Sequence, residues 1–206
     1  MPHPTRRTVL AILPYALLSS VPPLISEARA AGKTAQQVIE EMVSNALKVL
    51  RDPAHKGKPA ERKRLLRVIA DRAFDWDAMA RGSLGHYWRK LTDEQRKEFV
   101  SVFKDLLANQ YMDDIDRFQG NEKINVLSSA ANGPLVEVKT TLTTSSAEKV
   151  PMNYTLHDVN GKWMIEDLSI EGVSMVKHYR TSFQRFLVNK SFADLLEVLK
   201  RKLGDS

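Results

Sequence analysis

The sequence contains no cysteine. That single absence excludes a disulfide scaffold, a thiolate metal site and a cysteine nucleophile. Glycine is sparse, with 9 residues in 206, and no cluster of glycines forms a loop that could cradle a phosphate. Aromatic residues make up only 7% of the chain. None is interleaved with the basic clusters Arg62-Lys63-Arg64 and Lys200-Arg201-Lys202 in the manner of a base-stacking platform. Those clusters alternate with acidic residues and read as charged helix faces, so no nucleic-acid partner is expected. The five histidines, His3, His55, His86, His157 and His178, are scattered, and none forms a His-x-x-x-His pair. Neither a metal site nor a cofactor is therefore expected.

Two acidic clusters and one serine come nearest to chemistry. Asp75-x-Asp77 and Asp113-Asp114-x-Asp116 lack the glycine turn and distal glutamate of a calcium loop, so they read as solvated faces or helix caps. Gly172-Val173-Ser174-Met175-Val176 resembles half of a nucleophile elbow. It lacks the trailing glycine and comes late, leaving little chain for the acid and histidine that normally follow, so Ser174 reads better as a helix N-cap.

What the chain does have is apolar substance: 43% hydrophobic and 27% charged residues, with a net charge of +6. This composition is that of a globular protein with ample core, and its basic balance leaves an anionic membrane surface or an acidic protein open as partners. No uninterrupted apolar run reaches the ~20 residues of a membrane span. The N-terminus carries Arg6 and Arg7, then 9–13 and 15–18 as short apolar stretches, Pro22-Pro23, and Ala28-Arg29-Ala30. That order of charge, apolar stretch and small-x-small site predicts a secretory signal over residues 1–30, cleaved after Ala30, with a single domain over 31–206. Thr5-Arg6-Arg7-Thr8-Val9-Leu10 also approaches a twin-arginine signal, so both the general and the twin-arginine export routes stay open. In a bacterium the destination is the periplasm.

The rest of the chain reads helices first, then strands, then helices. Thr34-Ala35-Gln36-Gln37 and Thr92-Asp93-Glu94-Gln95 are capping boxes, opening helices over 34–50 and 92–118. A further helix is predicted over 60–73. From 124 the apolar period changes to two, predicting strands over 124–127, 135–143, 150–158 and 162–170, with Asn160-Gly161 as a hairpin turn. Helices follow over 174–188 and 191–203. This pattern predicts an α+β fold with amphipathic helices packed on one face of a mainly antiparallel four-stranded sheet. Large apolar side chains are in surplus on the long helix, the sheet and the following helix. They either fill a core or wall a cavity, and periodicity does not distinguish the two.

Two ordered stretches carry a family resemblance. Gly85-His86-Tyr87-Trp88-Arg89-Lys90-Leu91-Thr92-Asp93-Glu94-Gln95-Arg96 leads into Phe99, Phe103 and Leu106-Leu107. Trp163-Met164-Ile165-Glu166-Asp167-Leu168 is followed by Ile170-Glu171-Gly172-Val173-Ser174-Met175-Val176 and Tyr179-Arg180-Thr181-Ser182-Phe183. Together with the signal they resemble the MlaC, or toluene-tolerance, family of periplasmic phospholipid-binding proteins. The resemblance implies a curved sheet and helices enclosing an apolar pocket for lipid tails, with the headgroup at the mouth. It implies partners too: an inner-membrane ABC transporter bearing MCE domains and an outer-membrane lipoprotein complex. By position, the lipid-binding residues it implies are Phe103, Leu107, Tyr111, Val138, Leu142, Met152, Tyr154, Trp163, Ile165, Val173, Met175, Val176, Tyr179 and Phe183. Some relatives serve hopanoids, so the ligand is expected to be a phospholipid or a hopanoid.

Two other readings stand beside this one. An enzyme of steroid-isomerase type would need a carboxylate buried among apolar residues, for which Asp167 and Glu171 are the candidates. A plain interaction protein would have a filled core.

Overall fold

The structure, a computed structural model, describes residues 32–116 and 121–204, with the backbone alone for 111–116. The expected signal segment 1–30 and the side chain of Tyr111 lie outside the described residues.

Each boundary has a local cause. Helix α1 (Ala35–Arg51) is opened by the expected capping box: Thr34 Oγ1 accepts the Gln37 N–H at 3.2 Å, and Gln37 Oε1 accepts the Thr34 N–H at 2.9 Å. Pro53 ends it and starts a short 3₁₀ turn, Pro53–His55. Helix α2 (Pro59–Ala73) begins with proline in its first turn, where the missing N–H has no helical partner to lose. The sequence pattern did not call for the next pair of elements, α3 (Trp76–Leu84) and the 3₁₀ segment Gly85–Lys90. Helix α3 is only 9 residues long, and its N-cap is Asp75, whose Oδ1 accepts the Ala78 N–H at 2.8 Å. The first acidic cluster is thus, in part, a helix cap. Helix α4 (Asp93–Asp116) starts from the second capping box, with the Gln95 N–H donating to Thr92 Oγ1 at 3.3 Å.

The sheet is a meander in the order β1-β2-β3-β4-β5: Lys123–Asn132, Leu135–Thr143, Lys149–Val159, Lys162–Ile170 and Val173–Ser174, each pair antiparallel. The fifth strand, beyond the expected four, is two residues long, too short to show a period. Asn160 (φ 54) and Gly161 (φ 87) form the predicted β3–β4 turn, and Glu171 (φ 51) with Gly172 (φ 82) makes the equivalent turn into β5. Val138 pairs with Tyr154 and Tyr154 with Leu168, so one face carries the apolar rows. Register shifts by one residue at Leu127 in β1 and at Glu166 in β4. Bulges of this kind bend a strand, and the second lets Ile165 and Leu168 both face inward although they are three apart. The free edge of β4 is covered by β5 and by Phe74, which pairs in parallel with Ile165.

All six helices contribute to one core against that face. Its centre is aromatic: Phe99 stacks on Phe103 at 5.5 Å between centroids, and Phe103 meets Tyr179 edge-on at 5.1 Å. Helix α5 (Met175–Leu187) follows β5 directly, with Ser174 as its N-cap as expected. Helix α6 (Phe192–Gly204) closes the chain.

Candidate functional site

The core does not fill the space between the layers. A cavity of about 220 Å³ lies among α1, α2, α4 and the sheet. Its wall takes Met42, Val43 and Ala46 from α1, Leu66, Ile69 and Ala70 from α2, and Leu107 and Ala108 from α4. Ile124, Tyr154 and Leu168 come from the sheet, Met79 from α3 and Met175 from α5. Residues four apart on a helix project to the same side, which is why Met42 with Ala46 and Leu66 with Ala70 share the wall. Phe74, in the link before α3, stacks on Trp76 at 5.1 Å and completes it. The space exists because Ala46, Ala70 and Ala108 put a methyl group where a larger side chain would reach across.

The charged residues on this wall, Arg67, Asp71 and Lys104, stand where α2 meets α4. Deeper in, the Tyr154 ring is 3% exposed, and burial pushes its phenol pKa up to about 12.

The residues implied from sequence divide among several places. Leu107, Tyr154 and Met175 line the cavity. Phe103, Tyr179 and Phe183 belong to the aromatic cluster between α4 and α5, where Phe183 is also 5.4 Å from Tyr179. Val176 packs against Gly82 of α3. Val138 and Ile165 are fully buried on the inner sheet face, while Leu142 and Met152 are half-buried further along it. Trp163 borders a neighbouring hollow of about 480 Å³ that meets the cavity wall at Met42 and Ile69. Val173 on β5 is 58% exposed. The α1 and α2 residues, with Phe74 and Trp76, complete the wall without having been singled out as ligand-binding. The signal for them was present in α1, whose apolar face is broader than contact with one layer needs.

The carboxylates of the isomerase reading are elsewhere. Asp167 accepts hydrogen bonds from the Ser174 hydroxyl and, at 3.1 Å, from the Val176 N–H, so it anchors the start of α5. Glu171 is exposed in the β4–β5 turn. One histidine does meet carboxylates, contrary to the scatter seen in the sequence. His157 Nε2 lies 2.9 Å from Asp75 Oδ2, and its Nδ1 is 3.5 Å from Glu166 Oε2. The contact ties the start of α3 to the sheet. Among the described residues no group of three such side chains is placed to hold a metal ion, and no helix is long and apolar enough to cross a membrane.

The resemblance implied an apolar pocket between helices and a curved sheet, and an apolar cavity lies between the helices and the bulged meander sheet. The sequence profile of the MlaC protein family matches residues 40–201. The chain belongs to the MlaC family. MlaC is a family of periplasmic lipid-binding carriers, not of enzymes. A similar chain is the toluene tolerance protein ttg2D of Pseudomonas putida, 29% identical over 98 residues, which are 47% of this chain and 45% of that one. The match therefore spans less than half of that relative. Among solved structures, the fold is similar to a phospholipid-binding protein from Ralstonia solanacearum in complex with a phospholipid. The TM-score is 0.77 at 20% identity, covering 84% of this chain and 98% of the other. At that identity the likeness is one of fold, and it places this MlaC chain among α+β proteins built on the same plan.

Proposed function

We propose that this protein carries phospholipid through the periplasm, burying the acyl chains in the cavity between α1, α2, α4 and the sheet. It takes lipid from one membrane system to the other, between an outer-membrane lipoprotein complex and an inner-membrane ABC transporter bearing MCE domains. Residues 31–206 act as one lipid-binding domain after removal of the signal at 1–30. The observation that carries the reading is the cavity wall: apolar from five helices and three strands, with charges along one edge. That distribution suits a ligand with apolar tails and a polar head.

Energetics favour concealment over chemistry. Exposing one CH₂ costs about 0.8 kcal/mol, so two ~16-carbon tails represent on the order of 25 kcal/mol in water. The cavity of about 220 Å³ exceeds the ~150 Å³ void that admits a benzene. It is smaller than the ~300 Å³ at which pockets for larger ligands begin. Seating a two-tailed lipid therefore requires the wall to widen, and of the helices that form it α2 and α4 are joined by ion pairs.

The test is native mass spectrometry of protein purified from the periplasm under conditions that keep complexes intact. The expected result is a phospholipid mass on each chain and an N-terminus at Ala31. A phosphate-free polycyclic mass would instead point to a hopanoid carrier, and a chain with no lipid would contradict the proposal.

A further inference from the structure

His157 on β3 lies between two carboxylates supplied by neighbouring elements, and none of the three lines the cavity. Its Nε2 is 2.9 Å from Asp75 Oδ2, in the link before α3, and its Nδ1 is 3.5 Å from Glu166 Oε2 on β4. Asp75 has two further ties. Its Oδ1 caps α3 through the Ala78 N–H, and its backbone N–H donates to the Ile165 carbonyl at 2.8 Å. Glu166 is the extra residue of the β4 bulge, since Ile165 pairs with Leu156 and Asp167 with Thr155. The three side chains are only 21–28% exposed. Other charged groups around them have their own contacts or stand behind Asp75. On β2, Leu135 is opposite His157, and Glu137 pairs with Lys139 at 3.5 Å. On β3 itself, Asp158 Oδ1 accepts the Gly161 N–H at 2.6 Å. Asp77 of α3, Lys97 and Lys104 of α4, and Lys162 of β4 share with Asp75 a hollow of about 550 Å³ that His157 does not line. Asp75 is flanked by Phe74 and Trp76, which do line the cavity. The Trp76 indole N–H donates to Asp71 of α2 at 3.1 Å, so this link joins the sheet to the α2 side of the wall.

Resting on the carrier reading, we infer that His157 is a proton-operated latch on the Phe74–Trp76 part of the cavity wall. A neutral imidazole has one N–H, so it donates to one carboxylate and turns a lone pair towards the other. The imidazolium has two N–H groups and a positive charge, and only that form serves both Asp75 and Glu166. With the proton on, the link before α3 is fastened to β3 and β4, and Phe74 and Trp76 are held against the apolar space. With the proton off, one carboxylate faces a bare nitrogen and the fastening is lost on that side. The wall is then free to widen for a lipid to enter or leave. Histidine is the side chain that gains and loses its proton between about pH 5 and 8, so the latch answers to pH and needs no second ligand.

The experiment loads the full mature chain with a fluorescent phosphatidylcholine and follows its transfer to unlabelled phosphatidylcholine vesicles at about pH 5.5 and about pH 8. Transfer by the parent is expected to be about three- to tenfold slower at the lower pH, the rate equivalent of one partly exposed charge pair. His157→Gln keeps a donor amide but takes up no proton, so it should transfer at the parent's fast rate at both pH values. Glu166→Gln removes the second carboxylate and should shrink the pH effect, which gives an independent reading if His157→Gln does not fold. His178→Gln, on α5, should leave the effect intact. A merely structural contact would change transfer alike at both pH values. Equal parent rates at the two pH values, or a pH effect that survives undiminished in His157→Gln or Glu166→Gln, overturns the latch while the carrier reading stands. If no lipid is loaded or transferred, the carrier reading fails and the latch with it. Matching melting temperatures at the higher pH confirm that the variants compared are folded.

Discussion

Tyr154 puts a phenol into an otherwise apolar wall, and that choice has a measurable consequence. Burial pushes its pKa up to about 12 from an ordinary value of 10.0. The folded protein therefore favours the neutral phenol, and the unfolded chain ionises first. That contribution to stability is present below pH ~10 and is lost as pH rises through 12. Two units correspond to roughly 3 kcal/mol at most. Tyr154→Phe keeps the ring and removes the titration. Its unfolding free energy should fall less steeply than the parent's between pH 10 and 12, with similar values at pH 8, as read by denaturant titration. Parallel curves across that range would show that the hydroxyl is not held in the apolar wall. The inward position of Tyr154 was legible, since Val150, Met152, Tyr154 and Leu156 alternate with polar residues. Its place on a cavity wall was not, because alternation gives a face and not what stands opposite.

At the scale of elements, the legible parts were those with strong local chemistry. Thr34 and Thr92 opened α1 and α4 where their capping boxes stand, and Asn160-Gly161 made its turn. Helix α3 escaped because it is short, carries Gly82 in its last turn and is specified by contact with α5 more than by its own propensity. Arg180 Nε donates to the Gly82 carbonyl at 2.6 Å. A Cβ built on Gly82 would lie 2.7 Å from a methyl of Val176. Glycine inside a helix costs about 1 kcal/mol relative to alanine, so propensity alone predicts that Gly82→Ala stabilises. Close packing predicts the reverse, since Val176 is β-branched and has few rotamers to yield with. We expect packing to prevail, with Gly82→Ala lowering stability by about 1–2 kcal/mol. Adding Val176→Ala to it should cost less than Val176→Ala costs alone in the parent, a coupling visible in a double-mutant cycle. Strict additivity would mean that α3 and α5 are not in contact at this point.

For the whole molecule, the decisive question was whether inward faces meet or stand apart, and periodicity is silent on that. The apolar faces of α1, α2 and α4 could be read, yet the same pattern serves a filled core. The difference lies in Ala46, Ala70 and Ala108, three small residues on three helices that face one void. Their smallness is legible only when the helices are seen together, so the resemblance to a lipid-binding family supplied what the pattern lacked. If the void is retained for a ligand, filling it should separate stability from function. Ala46→Leu and Ala108→Leu each add apolar volume to existing space. They should leave the melting temperature unchanged or raise it, by the equivalent of about 0.5–2 kcal/mol. The same variants should carry at least about tenfold less lipid, since a side chain then occupies the place of an acyl segment. A core residue outside the wall gives the contrast: Phe99→Ala should lose about 3–5 kcal/mol and fail in both assays together. Melting curves and lipid extraction on the same preparations decide the matter. Cavity-filled variants that carry a full lipid complement would place the acyl chains somewhere other than between α1, α2 and α4.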